Sequence, residues 1–120
     1  MIYYTKIDDN NLIIKIIENN NQISIFIKIQ ITKLTLNTFK NIYHNLHKKI
    51  NYIASFKDNV PPLTIELKDN LIIFDNDGIQ IKIIKNNENV DMFDKIITNL
   101  MINNLEFDSP TPNKSEKFEI

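Results

Sequence analysis

Ile23-Ser24-Ile25-Phe26-Ile27-Lys28-Ile29-Gln30-Ile31 is the stretch whose reading decides the fold. Side chains alternate across a strand, so the five isoleucines share one face, and Ser24, Phe26, Lys28 and Gln30 share the other. β-Branched isoleucine suits a pleated, half-buried surface. The segment therefore reads as a strand with one face for a core and one for solvent. Upstream, Leu12 to Glu18 carries apolar residues on both faces, as a central, covered strand does. Ile2 to Ile7 supplies a third strand. Asp8-Asp9-Asn10-Asn11 and Asn19-Asn20-Asn21 supply turn chemistry between them. Connections this short predict an antiparallel meander.

Downstream the period changes. Leu36, Phe39, Ile42, Tyr43, Leu46, Ile50 and Ile53 recur at helical spacing, which predicts a helix over 36–55 with Thr35 or Asn37 as its cap. Its outward face carries Lys40, Asn41, His44, Asn45 and Lys48. Pro61-Pro62 breaks the chain. Leu63–Lys68, Leu71–Phe74 and Ile79–Lys85 then read as strands. Asn76-Asp77-Gly78 is the strongest hairpin signal, with the only glycine where positive φ is needed. A second helix places Val90, Phe93, Ile96, Ile97, Leu100 and Met101 on one face and is expected to end near Asn103-Asn104.

The expected fold is α+β: one antiparallel sheet of five or six strands with two amphipathic helices on one face. One domain is expected over residues 1–106, with halves at 1–57 and 63–106, followed by a polar tail at 107–120. Asn11-Leu12-Ile13-Ile14 matches Asn70-Leu71-Ile72-Ile73, and Thr38-Phe39-Lys40-Asn41-Ile42 parallels Met92-Phe93-Asp94-Lys95-Ile96. These matches suggest a βββα–βββα internal duplication; a shared Ile/Asn bias is the alternative. In element order the plan resembles the sheet-plus-helix units of Whirly and Pur-alpha type single-stranded nucleic-acid binders. That resemblance implies a single-stranded nucleic-acid partner.

Composition narrows the function classes. The chain has 120 residues, 42% hydrophobic and 24% charged, with net charge −1. This describes an ordinary globular domain with no global pull toward nucleic acid or membrane. With no cysteine, disulfides and thiolate chemistry are excluded. No apolar run reaches the roughly 18 residues of a spanning helix. The first residues lack a signal-peptide pattern, so an intracellular location is expected, in the cytoplasm or within a virus particle. Ile, Asn and Lys dominate and every basic residue is lysine, as an AT-rich genome (virus, phage, plasmid or microbe) would produce.

Charge is unevenly placed. Residues 1–57 hold eight lysines against three acids, and residues 58–120 hold six lysines against twelve. Phe26, Lys28, Gln30, Lys33, Lys40, His44, Lys48 and Lys49 form the candidate surface for nucleic acid or an acidic partner: lysine neutralises phosphate and Phe26 offers a face for a base. Phe107, Phe118 and Ile120 in the tail suit docking into a partner groove or onto an open sheet edge.

Other signals are weaker. His44 and His47, three apart on one helix, lack a third ligand, so no metal or other cofactor is expected. Asp75-Asn76-Asp77-Gly78 has the wrong spacing for a calcium loop. Glu66 and Asp75 could meet across strands, yet no nucleophile or phosphate cradle accompanies them, and no enzyme is expected. The leading expectation is a non-enzymatic protein-binding or assembly module, a small subunit of a larger complex or a homo-oligomer. The alternative is a single-stranded nucleic-acid-binding protein using the lysine-rich first half. No membrane partner is expected.

Overall fold

The computed structural model describes residues 2–18 and 23–108, with side chains at 3–17 and 25–102. It is an α+β fold with two antiparallel sheets rather than one. The element order is β1 (Ile2–Asp8), β2 (Asn11–Glu18), β3 (Ile23–Gln30), α1 (Thr35–Lys48), β4 (Tyr52–Phe56), β5 (Leu63–Lys68), β6 (Leu71–Asn76), β7 (Ile79–Ile84) and α2 (Asn87–Asp108). The first sheet pairs β1-β2-β3 and the second pairs β4-β5-β6-β7. The expected sheet of five or six strands is thus replaced by a three-stranded and a four-stranded sheet, and the repeating plan by βββα–ββββα.

The extra strand comes from the end of α1. The helix stops at Lys48 instead of continuing to 55. Lys49 turns left-handed (φ 58°, ψ 40°), and the Ile50 and Lys49 N–H groups bond back to Asn45 and Leu46 C=O. This is the Schellman arrangement, usually built on glycine. Ile50 and Ile53 continue the helical spacing only by coincidence. Ile53 lies on β4 and is 60% exposed.

The other helix boundaries have equally local causes. At the start of α1, Thr32 and Thr35 act together: the Thr35 hydroxyl accepts the Thr32 N–H (2.9 Å), and the Thr32 hydroxyl accepts the Leu34 N–H (3.2 Å). Asn86 caps α2 by accepting the Asn89 N–H at its Oδ1 (2.8 Å). Asn103-Asn104 does not end α2, which runs to Asp108. Asparagine alone does not stop a helix; the next strong signal is Pro110, which disfavours helix at the residue before it.

Three hairpins use two-residue loops, Asp9-Asn10, Asp69-Asn70 and Asp77-Gly78. Both loop residues have positive φ in the first (54° and 64°) and in the last (56° and 90°), the conformation that matches strand twist. These loops fix the register, and register fixes the faces. The inner face of the first sheet stacks the rows Tyr3–Ile16–Ile25, Thr5–Ile14–Ile27 and Ile7–Leu12–Ile29. That of the second stacks Tyr52–Leu67–Ile72–Ile83, Ala54–Ile65–Phe74–Ile81 and Phe56–Leu63–Asn76–Ile79. The matching Asn-Leu-Ile-Ile segments are one residue out of phase: Leu12 points inward, whereas Leu71 pairs with the outward Lys68 and Ile84.

The helices interlock the sheets. α1 follows the first sheet but packs on β4 and β5, and α2 follows the second but packs along β1. Phe39, Ile42 and Leu46 of α1 join Met92, Phe93, Ile96 and Leu100 of α2 in one core with the inner residues of both sheets. Phe93 joins the layers, its ring 6.2 Å from Phe39 and 6.2 Å from Phe74. Asn59, in the β4–β5 loop and only 7% exposed, fastens the edge of β3. Its Oδ1 accepts the Gln30 N–H, and its Nδ2 donates to Lys28 C=O and Pro61 C=O, each at 2.9 Å.

Candidate nucleic-acid interface

The outer face of the first sheet is built by its register. Tyr4, Lys15 and Phe26 pair across the three strands, and Lys6, Ile13 and Lys28 form the adjacent row. Asp8, Asn11 and Gln30 close the end. Both aromatic residues are open to solvent, Phe26 at 58% and Tyr4 at 47%. Ile13, at the centre of this outward face, is only 8% exposed. Its cross-strand partners are Lys6 and Lys28, whose methylene stems can cover it while their ammonium groups stay in water. The face is an apolar floor with two exposed rings and three lysines. Its charges among the described side chains are Lys6, Lys15, Lys28 and Asp8, the last 3.9 Å from Lys6.

The sequence-derived candidates divide between two surfaces. Phe26, Lys28 and Gln30 lie on this outer face and are exposed. Lys40, His44 and Lys48 form an exposed stripe on α1, with Lys33 before the helix and Lys49 at its C-terminal turn. The inward faces of β3 and α1 meet in the same core, so their outward faces point away from each other. Side-chain placement at Phe107 lies outside the described residues, although its backbone belongs to α2; Phe118 and Ile120 also lie outside them.

Three further members of the face are Tyr4, Lys6 and Lys15. Their signal was the two-residue Asp9-Asn10 loop, which sets Tyr4 opposite Lys15. Adjacent Tyr3 and Tyr4 hid it, since composition does not say which ring turns inward. Inside, Tyr3 meets α2: its hydroxyl lies 3.4 Å from Asp91 Oδ2, and Lys95 Nζ sits 5.4 Å from the ring centroid.

Metal and acid-base readings gain little from the geometry. His47 packs edge-on against Tyr43 with ring centroids 4.5 Å apart, and His44 is exposed. Among the described residues no three His, Cys, Asp or Glu side chains are grouped to hold a metal ion. Glu66 pairs with Ile73 rather than Asp75. Asp75 accepts hydrogen bonds from Gln80 Nε2 (3.0 Å) and Gly78 N–H (2.8 Å), which hold its carboxyl below the ordinary 3.8. No described helix is long and apolar enough to cross a membrane. No protein-family model, curated protein or solved structure matches the chain.

Proposed function

We propose that this protein binds single-stranded nucleic acid on the outer face of β1-β2-β3. The observation that carries the reading is the solvent-facing row Tyr4–Lys15–Phe26 beside Lys6–Ile13–Lys28. Exposed rings stack bases of any identity, and lysines beside them neutralise the phosphates that follow. Alanine at a stacking position costs about 1–3 kcal/mol per base, so Phe26→Ala should weaken binding by roughly 5- to 150-fold. Three lysine–phosphate contacts on a single strand give a salt slope near −2, or roughly a 20-fold loss of affinity between about 50 and 200 mM salt.

The test is fluorescence anisotropy with a labelled single-stranded oligonucleotide across that salt range. Wild-type binding should fall with salt, Lys15→Gln should flatten the slope by about 0.7, and Phe26→Ala should lower affinity at every salt. No binding at low salt, or full binding by a Tyr4→Ala/Phe26→Ala variant, refutes the reading.

A second reading, a protein-binding or assembly module, draws on the outer face of the other sheet. Ile84, 56% exposed on the edge strand β7, pairs with Leu71 beside Ile73, while Ile53, 60% exposed, lies on the opposite edge strand β4. An apolar patch beside an open edge suits strand addition by another chain. Concentration-dependent light scattering that collapses to monomer in Ile84→Asp supports association between copies. A monomeric wild type that captures no partner through this face in pull-downs removes the reading.

A further inference from the structure

β1 ends the first sheet, with no strand on its far side among the described residues. The register shows what that edge presents. Ile31 N–H bonds Asn10 C=O, so the even-numbered peptide groups along β2 serve β3 and the odd-numbered ones serve β1. Through the pairs Tyr4–Lys15 and Lys6–Ile13, the even-numbered groups of β1 are therefore taken. Those of Tyr3, Thr5 and Ile7 point to the open edge, and such an edge is a template for another strand.

The space beside the edge is open as well. A groove runs between β1 and α2, with about 340 Å³ at Tyr3, Thr5 and Lys95 and a further 240 Å³ at Thr5, Ile7 and Ile102. Thr5 and Asn99 line both parts, so the two adjoin. Ile102 is 51% exposed there.

We propose that the occupant of this edge is β1 of a second copy, paired antiparallel about a two-fold axis at Thr5. In a two-fold interface, a residue that meets a given partner residue is met by it in return. Thr5 then meets Thr5 and Tyr3 meets Ile7, each pair exchanging N–H···O bonds between groups that face the edge. This register pairs the strand over its full length, Ile2 to Asp8. On the outer face it sets Lys6 opposite the exposed ring of Tyr4, a favourable cation–π neighbour. An axis at Lys6 would oppose like charges, and one at Tyr4 would leave Ile7 and Asp8 unpaired. The antiparallel sense also brings the acidic Asp8-Asp9 corner of one copy to the end of the groove where Lys95 of the other stands.

The two outer faces then merge into one sheet of twice three strands. The row Phe26–Lys15–Tyr4 of one copy runs on into Lys6–Ile13–Lys28 of the other. The pairing stands on the strand edge alone; its use as a longer binding face rests on the nucleic-acid reading above.

The test is sedimentation of the full chain over a concentration series, with hydrogen exchange on the same samples. The wild type should pass from monomer to dimer, and the amides of Tyr3, Thr5 and Ile7 should gain protection as it does. Those of Tyr4 and Lys6 should be protected throughout. Tyr4→Lys opposes like charges twice across the axis and should weaken the dimer roughly tenfold. The double variant Tyr4→Lys/Lys6→Glu opposes unlike charges and should restore it. Ile84→Asp, on the other sheet, should leave it unchanged. A monomer at every concentration overturns the proposal, as does a dimer that forms without protecting Tyr3, Thr5 and Ile7, or one that yields to Ile84→Asp and not to Tyr4→Lys. The hydrogen-exchange result needs no variant. A monomer that binds oligonucleotides removes this pairing and keeps the nucleic-acid reading; a dimer that binds none does the reverse.

Discussion

Asn59 offers the sharpest test of how the two sheets are joined. Its amide replaces a missing neighbour strand for β3, accepting from Gln30 N–H and donating to Lys28 C=O while also reaching Pro61 C=O. Asn59→Ala removes all three bonds. At about 0.5–1.5 kcal/mol net for each, the loss is about 2–4 kcal/mol. For a domain of this size that lowers the melting temperature by roughly 6–16 °C. Urea denaturation should move its midpoint downward with an unchanged slope, since the surface exposed on unfolding is the same. Asn59→Asp separates hydrogen bonding from shape. It keeps the acceptor for Gln30 N–H but turns a carboxylate toward two carbonyl oxygens, so at neutral pH it should be at least as damaging as alanine. Those carbonyls raise the folded-state pKa of the new acid. Protonation then favours the folded state, and the defect should shrink as pH falls through that pKa. Hydrogen exchange at the Gln30 amide should accelerate in both variants. An Asn59→Ala protein within about 0.5 kcal/mol of wild type, the range of ordinary surface substitutions, would falsify the argument.

Other consequences are as direct. Lys49→Gly relieves a left-handed residue that costs about 1–2 kcal/mol, offset by about 0.4–1 kcal/mol of added unfolded-state freedom. Thermal melting should therefore show a net gain of about 0.5–1 kcal/mol, or roughly 2–4 °C. Phe93→Ala empties the junction between Phe39 and Phe74 and should cost about 3–5 kcal/mol in chemical denaturation. Asp75 is held below its ordinary value by Gln80 and Gly78. Its contribution to stability is therefore present above pH 3.8 and lost as pH falls through the lower folded-state value. Gln80→Ala should move the Asp75 carboxyl titration, followed by NMR, back toward 3.8.

Much of the fold was legible because period and turn chemistry agree. In the Ile23–Ile31 stretch the alternation correctly separates buried Ile27, Ile29 and Ile31 from exposed Phe26, Lys28 and Gln30. Asp77-Gly78 forms the expected hairpin turn. The helix pair Phe39/Ile42 and Phe93/Ile96 is buried in phase. What failed was punctuation supplied by unusual residues. Lys49 ends α1 with a conformation that sequence patterns associate with glycine, so Tyr52–Phe56 was absorbed into a helix and the division into two sheets was hidden. The surface was half legible for a related reason. Alternation within β3 exposes Phe26 and Lys28, but recruitment of Tyr4 and Lys15 depends on pairing between strands. Asn76 read as part of a turn, because only the three-dimensional row reveals that it faces inward.

The backbone also bears on how this chain can change over generations. Among the described residues, five non-glycine residues, Asp9, Asn10, Lys49, Asp69 and Asp77, hold positive φ, as does Gly78. Every aspartate codon becomes a glycine codon by one base substitution, whereas a lysine codon needs two. At Asp9, Asp69 and Asp77, glycine is therefore one mutation away at positions whose geometry already suits it. Such changes leave the core and the outer face of the first sheet untouched. A lineage under thermal pressure could tune this protein at its loop corners before altering any residue of the core or of that outer face.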